Sequence, residues 1–145
     1  MNNLITNDNI SEIYDFSFNN FYNINGEKYI GEMKNGKKEG KGIYYYNDGD
    51  RYEGEYKNEL REGKGIYYYD DGDLYEGEFK NDLREGKGIY YYKSGNRYEG
   101  EWINDKKEGK GIFYFKNGEK EIGDYIEDEE IGKHIRVNIN GEIIN

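Results

Sequence analysis

Glutamates separated by one intervening residue recur along this chain as Glu53 and Glu55, Glu76 and Glu78, and Glu99 and Glu101. On an extended strand each pair shares a face at about 7 Å, a spacing within the range of acid and base pairs in sugar hydrolysis. Recurrence in every unit argues against catalysis, because an active site is a single constellation whereas a solvated strand face repeats. His134 is the one histidine, and one histidine without a cysteine or a second histidine does not make a zinc site. It is read as a cap residue covering the last hairpin, at the place where earlier units carry Gly42, Gly65, Gly88 and Gly111. Asp70, Asp71 and Asp73 sit in a short turn, not in the loop of about twelve residues that an EF-hand needs. The run Glu127-Asp128-Glu129-Glu130 reads as a solvated turn. Gly63-Lys64-Gly65 leads into a strand and lacks the helix N-terminus that phosphate cradles use. No catalytic residue, metal ligand or cofactor is assigned, and the chain is expected not to be an enzyme.

The elements behind these residues follow from a strict period. X-Gly pairs recur every 23 residues at Asn25-Gly26, Asp48-Gly49, Asp71-Gly72, Ser94-Gly95, Asn117-Gly118 and Asn140-Gly141. Such a period marks a stack of small identical units, which present surfaces more often than they carry out reactions. In the clearest copy, Tyr52-Glu53-Gly54-Glu55-Tyr56 alternates with period two and Ile66-Tyr67-Tyr68-Tyr69 is β-branched and aromatic, so both read as strands. An Asp-Gly or Asn-Gly turn makes each unit a β-hairpin. The stretch Asn58 to Gly63 reads as a longer solvent-facing loop.

Because 23 is odd, Tyr52 and Tyr75 share a face only if just one of the two turns per unit holds an odd number of residues. Assigning the odd turn to Asp70-Asp71-Gly72, the three-residue type with a bulge glycine, pairs Tyr67 with Tyr75 and Gly65 with Gly77. That gathers Tyr52, Gly54, Tyr56, Gly65, Tyr67 and Tyr69 on one face, with Glu53, Glu55, Ile66 and Tyr68 on the other. Phe113 and Phe115, which replace Tyr67 and Tyr69 in a later unit while Tyr114 between them keeps its hydroxyl, point to the ring face as the drier one. A two-residue turn would instead place Ile66 and Tyr68 with Tyr52.

Composition bounds the function classes. The 145 residues include 18 Tyr and 21 Gly but no Pro or Cys, so burial must come from rings packed over glycines, and disulfides and thiolate metal sites are excluded. A net charge of −10 disfavours binding to nucleic acid or to an anionic membrane surface. The Asn-rich start, Met1 to Ile10, has neither a cationic beginning nor a continuous apolar stretch, so no secretory signal is read. No segment approaches the roughly 20 apolar residues of a spanning helix, and a cytoplasmic location is expected.

Tyr-Glu-Gly-Glu-Tyr or Trp, then Glu-Gly-Lys-Gly, then Asp-Gly, repeated every 23 residues, resembles the MORN (membrane occupation and recognition nexus) repeat. Tyr98, Gly100, Trp102, Gly109 and Gly111 show the register in one unit. The resemblance implies an all-β, elongated, single-layer antiparallel sheet of tandem 23-residue hairpin repeats, used in many relatives as a scaffold for other proteins. About ten to twelve strands spanning roughly 50 Å are expected. Residues 1–20 are taken as an N-terminal capping segment, with Ile10, Ile13, Tyr14 and Phe18 as its contacts. Residues 21–145 form the array: half repeat 21–28, full repeats 29–51, 52–74, 75–97 and 98–120, and a degenerate capping repeat 121–145. Two departures from the family pattern stand out. Glu39, Glu62, Glu85 and Glu108 replace the usual His before the second Gly, and the early loop Gly survives only as Gly36. Both make the loop edge more acidic.

The functional expectation is a non-catalytic protein-protein interaction scaffold, because a single-layer sheet leaves rings exposed and such patches mark interfaces. A partner helix or peptide would occupy an aromatic groove anchored by Tyr52, Tyr56, Tyr67, Tyr69, Tyr75, Phe79, Tyr90, Tyr92, Tyr98 and Trp102. Acidic rims favour a basic partner. Open edges make homo-oligomers plausible. The alternatives are a membrane-associated phospholipid-binding module, which the charge disfavours, and a carbohydrate-binding repeat, which the missing signal disfavours.

Overall fold

In the computed structural model, which describes residues 21–24 and 26–144, the chain folds as one eleven-stranded antiparallel sheet with every strand beside its sequence neighbours. The strands are β1 (Phe21–Ile24), β2 (Glu27–Lys34), β3 (Lys37–Tyr45), β4 (Arg51–Lys57), β5 (Leu60–Tyr68), β6 (Leu74–Lys80), β7 (Leu83–Tyr91), β8 (Arg97–Ile103), β9 (Lys106–Tyr114), β10 (Lys120–Ile126) and β11 (Glu129–Val137). The capping role read for residues 1–20 lies outside the described residues. Among the described residues no helix is long and apolar enough to cross a membrane.

Turn parity resolves as expected. Tyr69 N–H donates to the Asp73 carbonyl at 3.1 Å and Gly72 N–H to the Tyr69 carbonyl at 3.0 Å, which leaves three residues in the turn. Gly72 takes φ +98°, the left-handed conformation a bulge glycine adopts without a Cβ penalty. Tyr67 consequently pairs with Tyr75 and Gly65 with Gly77. The two-residue alternative, which would have placed Ile66 and Tyr68 with Tyr52, is excluded.

The long loop is corrected. Only Asn58 and Glu59 turn, with φ 50° and 78°, a primed two-residue hairpin, and β5 already starts at Leu60. The surplus residues sit inside the strand as a bulge. Gly54 pairs with Gly65 while Tyr56 pairs with Arg61, so Glu55 alone faces Glu62, Gly63 and Lys64. The bulge adds an even number of residues, which is why the two faces stay in register across it.

A candidate binding groove on the glutamate face

All ten ring positions named from the sequence fall on one face, but they do not form an open track there. Tyr52, Tyr75 and Tyr98 are 0% exposed, and Tyr56, Phe79 and Trp102 are at most 5% exposed. These six belong to the buried core of the sheet, which among the described residues has no second layer. Tyr52 packs edge-on against Tyr56 and Phe79 at centroid distances of 5.3 and 5.0 Å, and Tyr75 against Phe79 and Trp102 at 5.3 and 5.2 Å. Each such pair adds about 0.5–1.5 kcal/mol beyond the area it buries. Arg84 covers the layer from outside, its guanidinium 4.4 Å from the Trp102 centroid and its Nε 3.0 Å from the Asp105 carboxylate. The other four candidates, Tyr67, Tyr69, Tyr90 and Tyr92, are only half-buried and form an outer ribbon of rings. Their contacts run at 4.7 to 5.7 Å from Tyr67 through Tyr69 and Tyr90 to Tyr92. The aromatic groove is therefore corrected for its six buried anchors: neighbouring rings and cationic stems occupy the space a partner would need.

The concave surface lies on the opposite face. A groove of about 830 Å³ runs from Lys41 to Ile112, from β3 across to β9. Its walls repeat with the period of the array. Ile66 faces Glu53 on one neighbour and Glu76 on the other, Ile89 faces Glu76 and Glu99, and Ile112 faces Glu99. A parallel row alternates in charge, with Lys41 opposite Glu55, Lys64 opposite Glu78 and Lys87 opposite Glu101. Glu55, Glu78 and Glu101 and the four lysines of the lining are exposed, whereas the three isoleucines are half-buried. The glutamate pairs weighed for catalysis thus line the groove.

The lattice that carries this groove decides the family. The MORN repeat profile matches residues 29–51, 52–74, 75–97 and 98–120. The chain belongs to the MORN repeat family. No curated protein matches it significantly. One solved structure similar to it is the SAS-4 (dCPAP) TCP domain of Drosophila melanogaster, in complex with a proline-rich motif of Ana2 (dSTIL), at 20% identity and a TM-score of 0.45, over 86% of this chain and 80% of that one.

The two departures from the MORN pattern have a structural explanation. The acids that replace the loop glycine adopt left-handed backbone, as at Asp82 (φ 70°) and Asp105 (φ 68°), a conformation that costs an L-residue roughly 1–2 kcal/mol. Each returns its carboxylate to the preceding unit: Asp82 accepts from Arg61 N–H at 2.7 Å and Asp105 from Arg84 N–H at 2.8 Å. Hydrogen bonds to a charged acceptor contribute about 1.5–3 kcal/mol, enough to offset that cost. Glu62 and Glu85, in the His place, accept from the Asn81 and Asn104 N–H groups of the next turn, both at 3.1 Å. The extra acidity fastens adjacent repeats along one edge of the MORN sheet.

The remaining candidates are also placed. Asp71 Oδ1 accepts from Asp73 N–H at 3.0 Å within its turn, and Asp73 Oδ2 accepts from the Tyr90 hydroxyl at 2.8 Å, so these aspartates serve the hairpin. Glu127 and Asp128 form the last two-residue turn with φ 51° and 74°. His134 packs against Tyr125 at a centroid distance of 5.3 Å in the final hairpin.

The groove isoleucines were missed as functional candidates. Their signal was present: one apolar residue per unit, at Ile66, Ile89 and Ile112, on a face otherwise made of Glu and Lys.

Proposed function

We propose that this chain is a non-catalytic, cytoplasmic interaction scaffold whose glutamate-face groove receives a peptide or helix of a partner protein. The observation that supports the reading is the repeated Ile–Glu–Lys lining. It offers an apolar foothold every hairpin between charged rows, at intervals of about 9.6 Å for two strands. Three residues of an extended chain advance about 10 Å, so a peptide with an apolar residue at every third position matches the lattice. Six glutamates against four lysines in the lining favour a basic peptide. The outer strands β1 and β11, which end the sheet among the described residues, offer self-association as a second contact.

The test replaces Ile66 and Ile89 with Arg and compares capture of partners from the native cell with wild type. Loss of the recovered partners by at least tenfold, with the sheet intact by circular dichroism, is expected, because two half-buried apolar footholds are replaced by charge. A photo-crosslinker at Lys87 should then label the partner, and one at Tyr92 should not. Equal recovery by both proteins, or labelling from Tyr92 alone, contradicts the groove and returns the interaction to the outer ring ribbon.

A further inference from the structure

The final hairpin breaks the pattern in a way that builds a second site. Glu121 stands where the other units carry Tyr52, Tyr75 and Tyr98, so the ring that should cover the sheet there is missing. His134 supplies a substitute from β11. Its imidazole lies over Gly123, where an added Cβ would come within 2.3 Å of the ring, just as a Cβ on Gly77 would come within 2.4 Å of the Tyr75 hydroxyl. It also repeats the hydrogen bond of the lost tyrosine. Tyr75 donates to the Glu78 carbonyl at 3.1 Å, and His134 Nε2 lies 3.1 Å from the equivalent carbonyl, that of Asp124.

That bond orients the ring. A carbonyl can only accept, so Nε2 carries a proton, and in the neutral imidazole the lone pair is left on Nδ1. Nδ1 is fully buried and makes no hydrogen bond. It faces Glu121 Oε1 at 3.3 Å and Glu130 Oε2 at 4.0 Å, on a side chain that is only 11% exposed. The three donor atoms all lie within 4.8 Å of one another.

We propose that Glu121, Glu130 and His134 bind one divalent ion of the zinc class. Ligands bonded at about 2.0–2.1 Å around a tetrahedral zinc stand about 3.3 Å apart. The Nδ1 to Glu121 separation already has that value, and the 62% exposed Glu130 side chain can move inward to complete the set. A histidine that donates its other N–H to a backbone carbonyl is the usual supporting arrangement for a metal ligand. One imidazole with two carboxylates favours Zn²⁺ or Co²⁺ over Ca²⁺ and Mg²⁺. The ligand signal is scattered in sequence, because Glu121 meets His134 and Glu130 only through the pairing of β10 with β11, where residues 132–134 bulge opposite Gly123. Bound there, the ion ties β10 to β11 and closes the end of the array where the tyrosine is missing.

The test is calorimetric titration of ZnCl₂ into the chelator-stripped full chain, free of any polyhistidine tag, at neutral pH. One site is expected, with visible d–d absorption when Co²⁺ is used and a shift of the His134 ¹⁵Nδ1 resonance on binding. Glu130→Gln, at the exposed ligand, should weaken binding by about tenfold or more while leaving the fold unchanged, and Glu121→Gln should do the same. Absence of one-to-one binding overturns the proposal, and so does unchanged affinity in both variants or equal response to Ca²⁺. Any of these outcomes would mean that the trio does not hold an ion of the zinc class.

Discussion

Tyr75→Ala should destabilise the array by about 3–5 kcal/mol, the range for truncating a buried aromatic side chain. The ring is 0% exposed and is wedged between Phe79 and Trp102, and among the described residues no second layer is there to collapse into the space. Its hydroxyl donates to the Glu78 carbonyl at 3.1 Å, so Tyr75→Phe should lose only about 0.5–1.5 kcal/mol. Because each repeat is stabilised chiefly by its neighbours, the Ala variant should also uncouple the hairpins on either side. Denaturant unfolding is then expected to broaden or divide into two transitions. If Tyr75→Ala and Tyr75→Phe lost similar small amounts, the ring would be a surface residue and the core assigned to this face would be wrong.

Gly88→Ala should be nearly as damaging, for the opposite reason. A Cβ at Gly88 would lie 2.3 Å from the Tyr75 hydroxyl oxygen and 2.5 Å from its Cε2 and Cζ. Those atoms belong to a rigid ring held by its neighbours, so the tyrosine must leave its place or the strands must part. Overpacking of this kind costs about 1–3 kcal/mol, with more where no rotamer offers escape. Gly36→Ala is the control. Nothing lies within 4 Å of a Cβ there, although φ is +73°, so only the backbone cost of roughly 1–2 kcal/mol applies. Equal loss from the two substitutions, measured by thermal unfolding, would mean that the glycines are needed for conformation and not for the rings above them.

Much of this architecture was legible in the sequence. The odd period together with Asp71-Gly72 placed the three-residue turn, and that turn alone determined the pairing of Tyr67 with Tyr75 and the division of the faces. Phe113 and Phe115 pointed correctly to the drier side. The two-residue turn was obscured because Asn58 and Glu59 look like ordinary polar loop residues, and only their left-handed backbone makes them a hairpin. The surplus of Glu62, Gly63 and Lys64 opposite Glu55 looked like loop for the same reason, although it is a bulge within β5.

The site was legible in part. Alternation correctly put the rings together, but whether a row of rings is covered depends on sheet twist and on cross-repeat contacts such as Arg84 over Trp102. Neither is written in the period. Which face becomes concave is likewise a property of the whole sheet, so Ile66, Ile89 and Ile112 could be located on a face without being recognised as the lining of a groove.

The account rests on the ring face being interior, and residue-resolved alkaline titration of the tyrosines, followed by their ¹³Cζ shifts alongside far-ultraviolet circular dichroism, tests it most directly. Burial pushes the Tyr52, Tyr75 and Tyr98 hydroxyls well above the ordinary value of 10.0, and that of Tyr125 up to about 12. A hydroxyl whose folded-state pKa is raised stabilises the fold fully below the unfolded-state value near 10, and that stability is lost as pH climbs toward the folded-state value. The predicted result is that Tyr52, Tyr75 and Tyr98 stay neutral past pH 10 and ionise together, in the same step in which the strand signal is lost. Ionisation of these three near pH 10 with the sheet still folded would contradict the buried ring layer, and would make the aromatic face once more the surface open to a partner.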